Sequence, residues 1–478
     1  METTNWISGE SVAVRDKGQI VYNPSNLEEE VGVIHYSDRS HVMQAEEAAK
    51  QGFRTWSKLT GSTRASYLYQ MANVLEKSQS DLATLASREM GKPITEMMGE
   101  VMRAVHLLRY YAAEGVRSNG EHIPASDVHV IQYSIRVPLG VVGVITPWNF
   151  PVAIPIWKIA PALICGNTVI WKPADNAALT ASKMMELFRE VNLPEGVLNL
   201  VIGKGSVIGD FLLNEVDFQA VSFTGSSTTG AHVASICAKR NIKYQTEMGG
   251  KNAAIVLNDA DLDKTIPIVL SGAFRSAGQK CTATSRIIVE DGIYESFASK
   301  LSVAVSNLKA VQSLDPTAYL GPVASKSQFE TVSQYEKLAF NDATLVAEGE
   351  IEANTEGYYI KPLVVSGIQT DHPLVQEEIF GPVSVLLRAN NFDEAIQLSN
   401  ETIYGLSAAI FTNNLSKAHR FLEEAQAGMV RVNQETAGVE YQAPFGGMKQ
   451  SSSHTREQGQ AALAFYTTVK TCAIKHTF

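Results

Sequence analysis

Val141-Val142-Gly143-Val144-Ile145 and Thr168-Val169-Ile170-Trp171 are two short β-branched runs separated by an apolar stretch, Val152 to Leu163, that closes at Gly166. Strand, helix and strand in that order predict a βαβ unit, and the pattern continues downstream. Leu179 to Val191 reads as a helix, Val197 to Ile202 and Ala220 to Phe223 as strands, and Ser227 to Lys239 as the next helix. Such alternation implies a parallel sheet covered by helices on both faces, with ligands gathered at the C-terminal ends of its strands. A second α/β region begins near Glu247, with strands at Arg286 to Glu290, Val383 to Leu387, Ala408 to Phe411 and Met429 to Val432. Its helices are expected over Tyr294 to Val311, Asp393 to Asn400 and Leu415 to Ala425. Ahead of both regions, residues 40–115 read as helices, the first two capped by Ser40 and Ser62, with a break at Gly91-Lys92-Pro93.

The chain has 478 residues, enough for two to four domains. Its formal net charge of -10 argues against nucleic acid or an anionic membrane as partner. Val137 to Trp171 is strongly apolar, but its prolines, with Lys158 and Asn149 inside, read as buried core rather than a membrane span. Met1 to Trp6 carries no basic region followed by an apolar run, so no signal peptide is expected. Cys165, Cys237, Cys281 and Cys472 show neither disulfide pairing nor metal-ligand spacing, which fits a reducing cytoplasm.

Three short motifs carry the chemistry. Gly278-Gln279-Lys280-Cys281-Thr282 places a cysteine in a glycine-containing loop, a candidate nucleophile. Glu247-Met248-Gly249-Gly250-Lys251 places a carboxylate in its own glycine-rich turn, a candidate base. Pro147-Trp148-Asn149-Phe150-Pro151 adds a side-chain amide that suits an oxyanion donor. Any one of these residues taken alone defaults to a structural role.

Taken together, the three motifs resemble the aldehyde dehydrogenase family, whose members oxidise aldehydes to acids with NAD or NADP. The resemblance extends from Asn23-Pro24 and Glu89-Met90-Gly91-Lys92-Pro93 to Arg456-Glu457-Gln458-Gly459. Within the family, Val141 to Lys172 and the loop Ser451-Ser452-Ser453 are most similar to bacterial semialdehyde dehydrogenases acting on 2,5-dioxopentanoate. The resemblance implies an α/β fold of two doubly wound parallel-sheet domains plus a small bridging sheet. A discontinuous dinucleotide-binding domain would span 1–127 and 138–247, and a catalytic domain 248–445. Segments 128–137 and 460–478 would join subunits into a homodimer or homotetramer.

The same resemblance implies residue roles. Cys281 would form the thiohemiacetal, Asn149 and the Cys281 N–H would hold the oxyanion, and Glu247 would activate water to release the acid. Glu457 and Lys158 would relay protons. Lys172 and Asp175 would hold the adenosine ribose, with the Asp175 carboxylate favouring NAD and tolerating NADP. Phe223, Gly225 and Ser226 would form the phosphate turn, Glu378 and Phe380 the nicotinamide ribose contact, and Ile145, Pro147 and Trp148 the neighbouring wall. Gly203-Lys204-Gly205-Ser206-Val207-Ile208-Gly209 misses the dinucleotide fingerprint by one residue. It reads either as a direct phosphate cradle through Gly205 or as a turn needing positive φ and close packing. Phe150, Trp157 and Phe445 would line the aldehyde tunnel, with Lys280 and Thr282 beside the nucleophile. Arg275 either grips a substrate carboxylate or lies on the solvent face of its helix.

Alternatives within the family are a broad aliphatic, aromatic or betaine aldehyde specificity, and acyl transfer to coenzyme A, which the intact Glu247 motif disfavours. A non-catalytic relic of the fold is the alternative outside enzymes.

Overall fold

The computed structural model describes residues 1–14, 17–117, 119–354 and 356–476. Positions 15, 16 and 118 of the expected segment 1–127, 355 of the segment 248–445, and 477 and 478 of the segment 460–478 lie outside the described residues.

Two seven-stranded sheets organise the chain. The first runs Lys243–Glu247, Ala220–Thr224, Val141–Ile145, Thr168–Lys172 and Leu198–Leu200, all parallel, and ends in the antiparallel pair Asn5–Ile7 and Glu10–Val12. Strands Val141–Ile145 and Ala220–Thr224 are adjacent in space, and the chain leaves them in opposite directions across the sheet. A crevice opens at such a switch point, beyond the carboxyl ends of the strands. The residues that follow these two strands are the Pro147-Asn149 loop and the Gly225-Ser226 turn.

The second sheet runs Thr344–Glu348, Leu363–Ser366, Val383–Ala389, Thr284–Glu290, Asn252–Val256, Ser407–Phe411 and Met429–Val432, and is parallel apart from its first strand. In chain order, Glu247 ends the final strand of the first sheet and Asn252 starts the earliest strand of the second, so the Glu247 motif is the link between the sheets. The second sheet consequently turns its N-terminal edge to the crevice. Cys281 and Glu378 lie just ahead of the strands Thr284–Glu290 and Val383–Ala389.

Helices Arg39–Trp56 (α1), Gly61–Lys77 (α2), Gln79–Met90 (α3) and Ile94–Glu114 (α4) precede Ala153–Ile164 (α5). Leu68, Met71, Leu75, Met97, Val101, Val105 and Leu108 are all fully buried, the apolar stripe that three- and four-residue spacing produces. The caps sit two residues earlier than expected: Asp38 accepts the Ser40 and His41 N–H groups, and Thr60 accepts that of Thr63. A residue whose side chain reaches two or three positions ahead wins over one already inside the first turn. Gly91 ends α3 in the left-handed region at φ 80°, which is the expected break.

The helix from Tyr294 ends at Ser306, five residues short of the sequence reading, because Lys309–Ala310 pairs as a strand with Glu350–Ile351. Within the expected segment 460–478, Ala464 and Phe465 close the helix Gly459–Phe465 before the last strand begins. That strand, Thr467–Lys475, pairs antiparallel along its whole length with Val130–Pro138, and Gly120–Ile123 completes a three-stranded sheet. Among the described residues no helix is long and apolar enough to cross a membrane. Nor does any group of His, Cys, Asp and Glu among them suit a metal ion.

Candidate active site

The crevice at the switch point encloses about 210 Å³ and is walled by Trp148, Thr224, Gly225, Cys281, Glu378 and Phe380, among others. A cavity of about 260 Å³ elsewhere, against Arg64 and Cys165, contains none of the motif residues.

On the first-sheet side the backbone is regular. Ser226 caps the helix Ser227–Lys239 with its hydroxyl, and Gly225 donates its N–H to the Glu247 carbonyl at 3.1 Å. The Phe223 ring packs beneath, so a Cβ on Gly225 would stand 2.6 Å from its Cζ. The Thr224 hydroxyl is buried with no protein partner. A free hydroxyl, a glycine and a helix N-terminus in one turn fit a pyrophosphate. Lys172 is buried at the end of its strand with its ammonium at 3.1 Å from the Pro173 carbonyl. Burial lowers its pKa and Asp175 opposes that shift. Asp175 opens a short 3-10 turn, where burial raises its carboxyl against the pull of Lys172 and Lys204.

Gly203–Gly209 is corrected in one respect. None of its glycines has positive φ, and Gly205–Gly209 forms a π turn opening a helix. Close packing holds at Gly203 alone, where a Cβ would lie 2.3 Å from Ile208 Cδ1. Gly205 has open space above it.

On the second-sheet side the backbone is strained. Phe380 has φ 55° and meets Trp148 edge-on at 5.4 Å between ring centres. Its carbonyl is held by the Gln328 side-chain amide at 2.8 Å. Glu378 accepts the Gly250 N–H at 3.0 Å, and burial pushes its carboxyl up to about 7. Its Oε2 fills the space a Cβ on Gly249 would need. Ser276 and Ala277, at φ 57° and 52°, precede Gly278 at φ 69° on the approach to Cys281. Three consecutive left-handed residues are unusual, and each non-glycine one costs roughly 1–3 kcal/mol.

Cys281 is half-buried at the floor of the crevice. Burial raises its thiol far above the ordinary range, and the carboxylates of Glu378, Glu247 and Glu457 raise it further. Its surroundings therefore keep it a thiol at rest. Asn149, 3% exposed, spends one amide N–H on the Gln279 carbonyl at 3.0 Å. The amide has a second N–H to offer.

Glu247 is 1% exposed, and one carboxyl oxygen accepts the Ser452 hydroxyl while the other has no protein partner. Burial, then the Glu457 charge, raises its carboxyl well above the usual range. Lys158 and Glu457 form a buried ion pair, and Lys158 also reaches the Ser222 hydroxyl at 2.9 Å. One oxygen of Glu457 is likewise without a partner.

The expected tunnel residues separate into two groups. Trp157 and Phe445 stack at 5.3 Å, and Cys281 packs against the apolar cluster containing Phe445. Phe150 lies under the Lys92 ammonium at 3.7 Å. Lys280 points away, donating to the Ser271 carbonyl at 3.1 Å, and the Thr282 carbonyl accepts the Thr436 hydroxyl. Arg275 stacks over Tyr319 at 4.9 Å and is not among the crevice residues. Ile145 and Pro147 lie at the end of the first strand, with Pro147 in the crevice wall.

Sequence reading missed Lys92, Glu96, Glu100, Gln328 and Ser452, all of which hold site loops. Lys92 stood in a quoted motif without a role. The i, i+4 spacing of Glu96 and Glu100 on a helix of known face was the available signal for those two. Ser452 and Gln328 approach the site only through tertiary folding.

The chain matches the model of the aldehyde dehydrogenase family over residues 11–472. The chain belongs to the aldehyde dehydrogenase family. It is 47% identical over 476 residues to the alpha-ketoglutaric semialdehyde dehydrogenase of Bacillus subtilis, covering 98% of each chain. It is 36% identical to the 2,5-dioxopentanoate dehydrogenase of Saccharolobus solfataricus, over 98% of this chain and 97% of that one. Among solved structures it resembles the betaine aldehyde dehydrogenase of Staphylococcus aureus in complex with NAD+, at 32% identity and TM-score 0.95, covering 99% of this chain and 94% of that one. The aldehyde dehydrogenase of Bacillus cereus matches with TM-score 0.95 and 34% identity, over 100% and 97%. As a family member the chain is an oxidoreductase acting on the aldehyde group.

Proposed function

We propose that this aldehyde dehydrogenase oxidises a dicarboxylic semialdehyde of the 2,5-dioxopentanoate type to its acid, using NAD and tolerating NADP. Cys281 and Asn149 in the wall of one crevice, with Glu247 buried close enough for its charge to act on the thiol, carry the reading of the chemistry. The names of the bacterial and archaeal relatives support the substrate. Lys172 and Asp175 would hold the adenosine ribose of the cofactor, the Gly225 turn its phosphates, and Glu378 with Phe380 its nicotinamide ribose. Bound there, NAD supplies a hydride acceptor and one positive charge.

The Cys281 sulfur adds to the aldehyde carbon as its proton passes to solvent, which the half-exposed thiol reaches through the crevice, and the carbonyl oxygen becomes an oxyanion. Asn149 and the Cys281 N–H donate to that oxygen; one such donor is worth roughly 10²–10³ in rate. Loss of hydride from the same carbon leaves a thioester on Cys281. Glu247 then takes a proton from water through its partnerless oxygen, the water attacks the thioester, and the acid departs as the thiol reforms. Lys158 and Glu457 carry the proton outward. Because Glu247 is raised by burial, release of the acid speeds up as pH rises and its carboxylate forms.

We place the working enzyme in the cytoplasm, as a homodimer or homotetramer. The four cysteines, all unpaired, support the first part. The three-stranded sheet, with exposed Ile131, Val469 and Ile474, supports the second. By the same reading, the segments 1–127 and 138–247 bind the dinucleotide, 248–445 carry the nucleophile, and 128–137 with 460–478 join subunits.

A second reading has its own support. The Trp157–Phe445 stack beside Cys281 and the engagement of Arg275 with Tyr319 favour an apolar tunnel for simple aldehydes. Comparing kcat/KM for 2,5-dioxopentanoate and hexanal with NAD separates them. The semialdehyde reading expects a preference of about a hundredfold, or about 2.7 kcal/mol, for the charged substrate. A preference for hexanal establishes the apolar tunnel instead.

A further inference from the structure

Helix α4 reaches into the site twice. Glu96 and Glu100 stand one turn apart on it and share a face. Glu100 is 4% exposed; one oxygen accepts the N–H groups of Val152 and Ala153, at 2.8 and 3.0 Å, where α5 begins. Its other oxygen pairs with the Lys92 ammonium at 2.6 Å. Lys92, 2% exposed, also donates to the backbone carbonyl of Asn149. Glu96 meanwhile accepts the N–H and the hydroxyl of Ser276 at 2.9 and 2.6 Å. Ser276 is the first of the left-handed residues before Cys281. The two loops meet where the Asn149 amide donates to Gln279.

We infer that Glu96 and Glu100 on the rigid helix α4, with Lys92 held by Glu100 just ahead of it, are positioning residues that set the spacing between the Asn149 amide and the Cys281 N–H. The inference rests on the reading of Cys281 and Asn149 as nucleophile and oxyanion donor. Two donors serve one oxyanion only when each lies about 2.7–3.1 Å from it, a tolerance that loops alone do not keep. Asn149 arrives from the first sheet and Cys281 from the second, so their separation is not fixed by either sheet. Helix α4 supplies the common reference. Without the Glu96 acceptor, Ser276 relaxes out of its left-handed conformation and the loop carries Cys281 with it. Without Lys92 and Glu100, the Asn149 backbone loses its anchors.

The test uses the full chain with NAD and either hexanal or 2,5-dioxopentanoate, following the first-turnover NADH burst and the aldehyde KM. Glu96→Ala is expected to slow the burst by about 10- to 100-fold, the effect of a displacement of about 1 Å. Aldehyde KM should change by less than about threefold, because binding is not what is lost. Glu96→Gln keeps an acceptor for the Ser276 N–H and should recover most of the burst. Lys92→Met should slow the burst in the parent enzyme and have little further effect in Asn149→Ala, since the group it positions is gone. A Glu96→Ala burst within about twofold of the parent in a folded enzyme, or no recovery by Glu96→Gln, overturns the inference. Equal Lys92→Met effects with and without Asn149 do the same. If Lys92→Met does not fold, the half-buried Glu96 pair decides alone. Failure of the underlying reading looks different, because Cys281→Ala and Asn149→Ala would then themselves retain turnover.

Discussion

The two edges that face each other across the crevice are built by different means. The first sheet offers the proposed cofactor side as strand, turn and capped helix, in relaxed backbone throughout Phe223–Ser227. The second sheet offers Cys281, the proposed nucleophile, and Phe380 from left-handed backbone, at Ser276, Ala277 and Phe380. Two of these three residues are tied by a distant side chain: Ser276 by Glu96 and Phe380 by Gln328. A dinucleotide is bound by many dispersed contacts, and ordinary strand-to-helix geometry provides them. Chemistry at one carbon needs two or three groups in fixed register, and here that register is held against local backbone preference by tertiary contacts.

The contrast can be broken most directly at the nucleophile. Cys281→Ala should lower turnover by about 10⁴-fold or more while NAD affinity stays close to the parent value. Substantial NADH formation by that variant, checked by absorbance, would remove the covalent chemistry from the second-sheet edge. Glu247→Gln should keep the hydride burst and reduce the steady-state rate by roughly 10²–10³, as loss of a general base does. An unchanged steady state would mean that another group activates the water.

Smaller effects sharpen the first-sheet side. Asp175→Ala should shift the NAD/NADP preference toward NADP by about tenfold, the effect of about 1.4 kcal/mol of carboxylate–phosphate repulsion; steady-state kinetics with both cofactors reads it. Glu378, raised to about 7, is a carboxylate only above that pH. Binding that uses the carboxylate as acceptor favours the deprotonated form, so NAD affinity should rise between about pH 6 and 8 by several-fold. Titration of NAD binding by fluorescence should lose this inflection in Glu378→Gln. Smallest of all, Ala277→Gly should change stability by less than about 1 kcal/mol, relief of left-handed strain being offset by glycine entropy. Its burst should nevertheless slow, which thermal melting and rapid mixing together would reveal.

What could be read before folding follows the same division. The helices from 153, 178 and 227 and four of the five parallel strands of the first sheet are legible because each is a run of local preference bounded by Gly, Pro or a cap; the fifth, Lys243–Glu247, went unread because its polar residues lack that signal. Phe223-Thr224-Gly225-Ser226 is legible for the same reason. The helix from Tyr294 was read too long because strand pairing at Lys309–Ala310, a long-range contact, ended it. The caps at Asp38 and Thr60 were misplaced by two residues because serine competes at every nearby position.

At the site, Cys281, Glu247 and Asn149 stood out through the residue types and glycines around them. Their electrostatics did not. A thiol raised by burial and three carboxylates, and a Glu247 raised by burial and Glu457, depend on groups distant in sequence. Arg275 was undecided between substrate and solvent, and its actual place over Tyr319 is set by packing between remote segments.

The sequence by itself determined the family and the α/β architecture and singled out the residues proposed to react, since these rest on local periodicity and on short motifs. Only the tertiary structure decided the spacing of Asn149 from Cys281, the resting protonation of the thiol, and the part played by α4. Those properties belong to contacts between chain segments far apart, and local preference, which at Ser276 and Ala277 points the other way, carries no record of them.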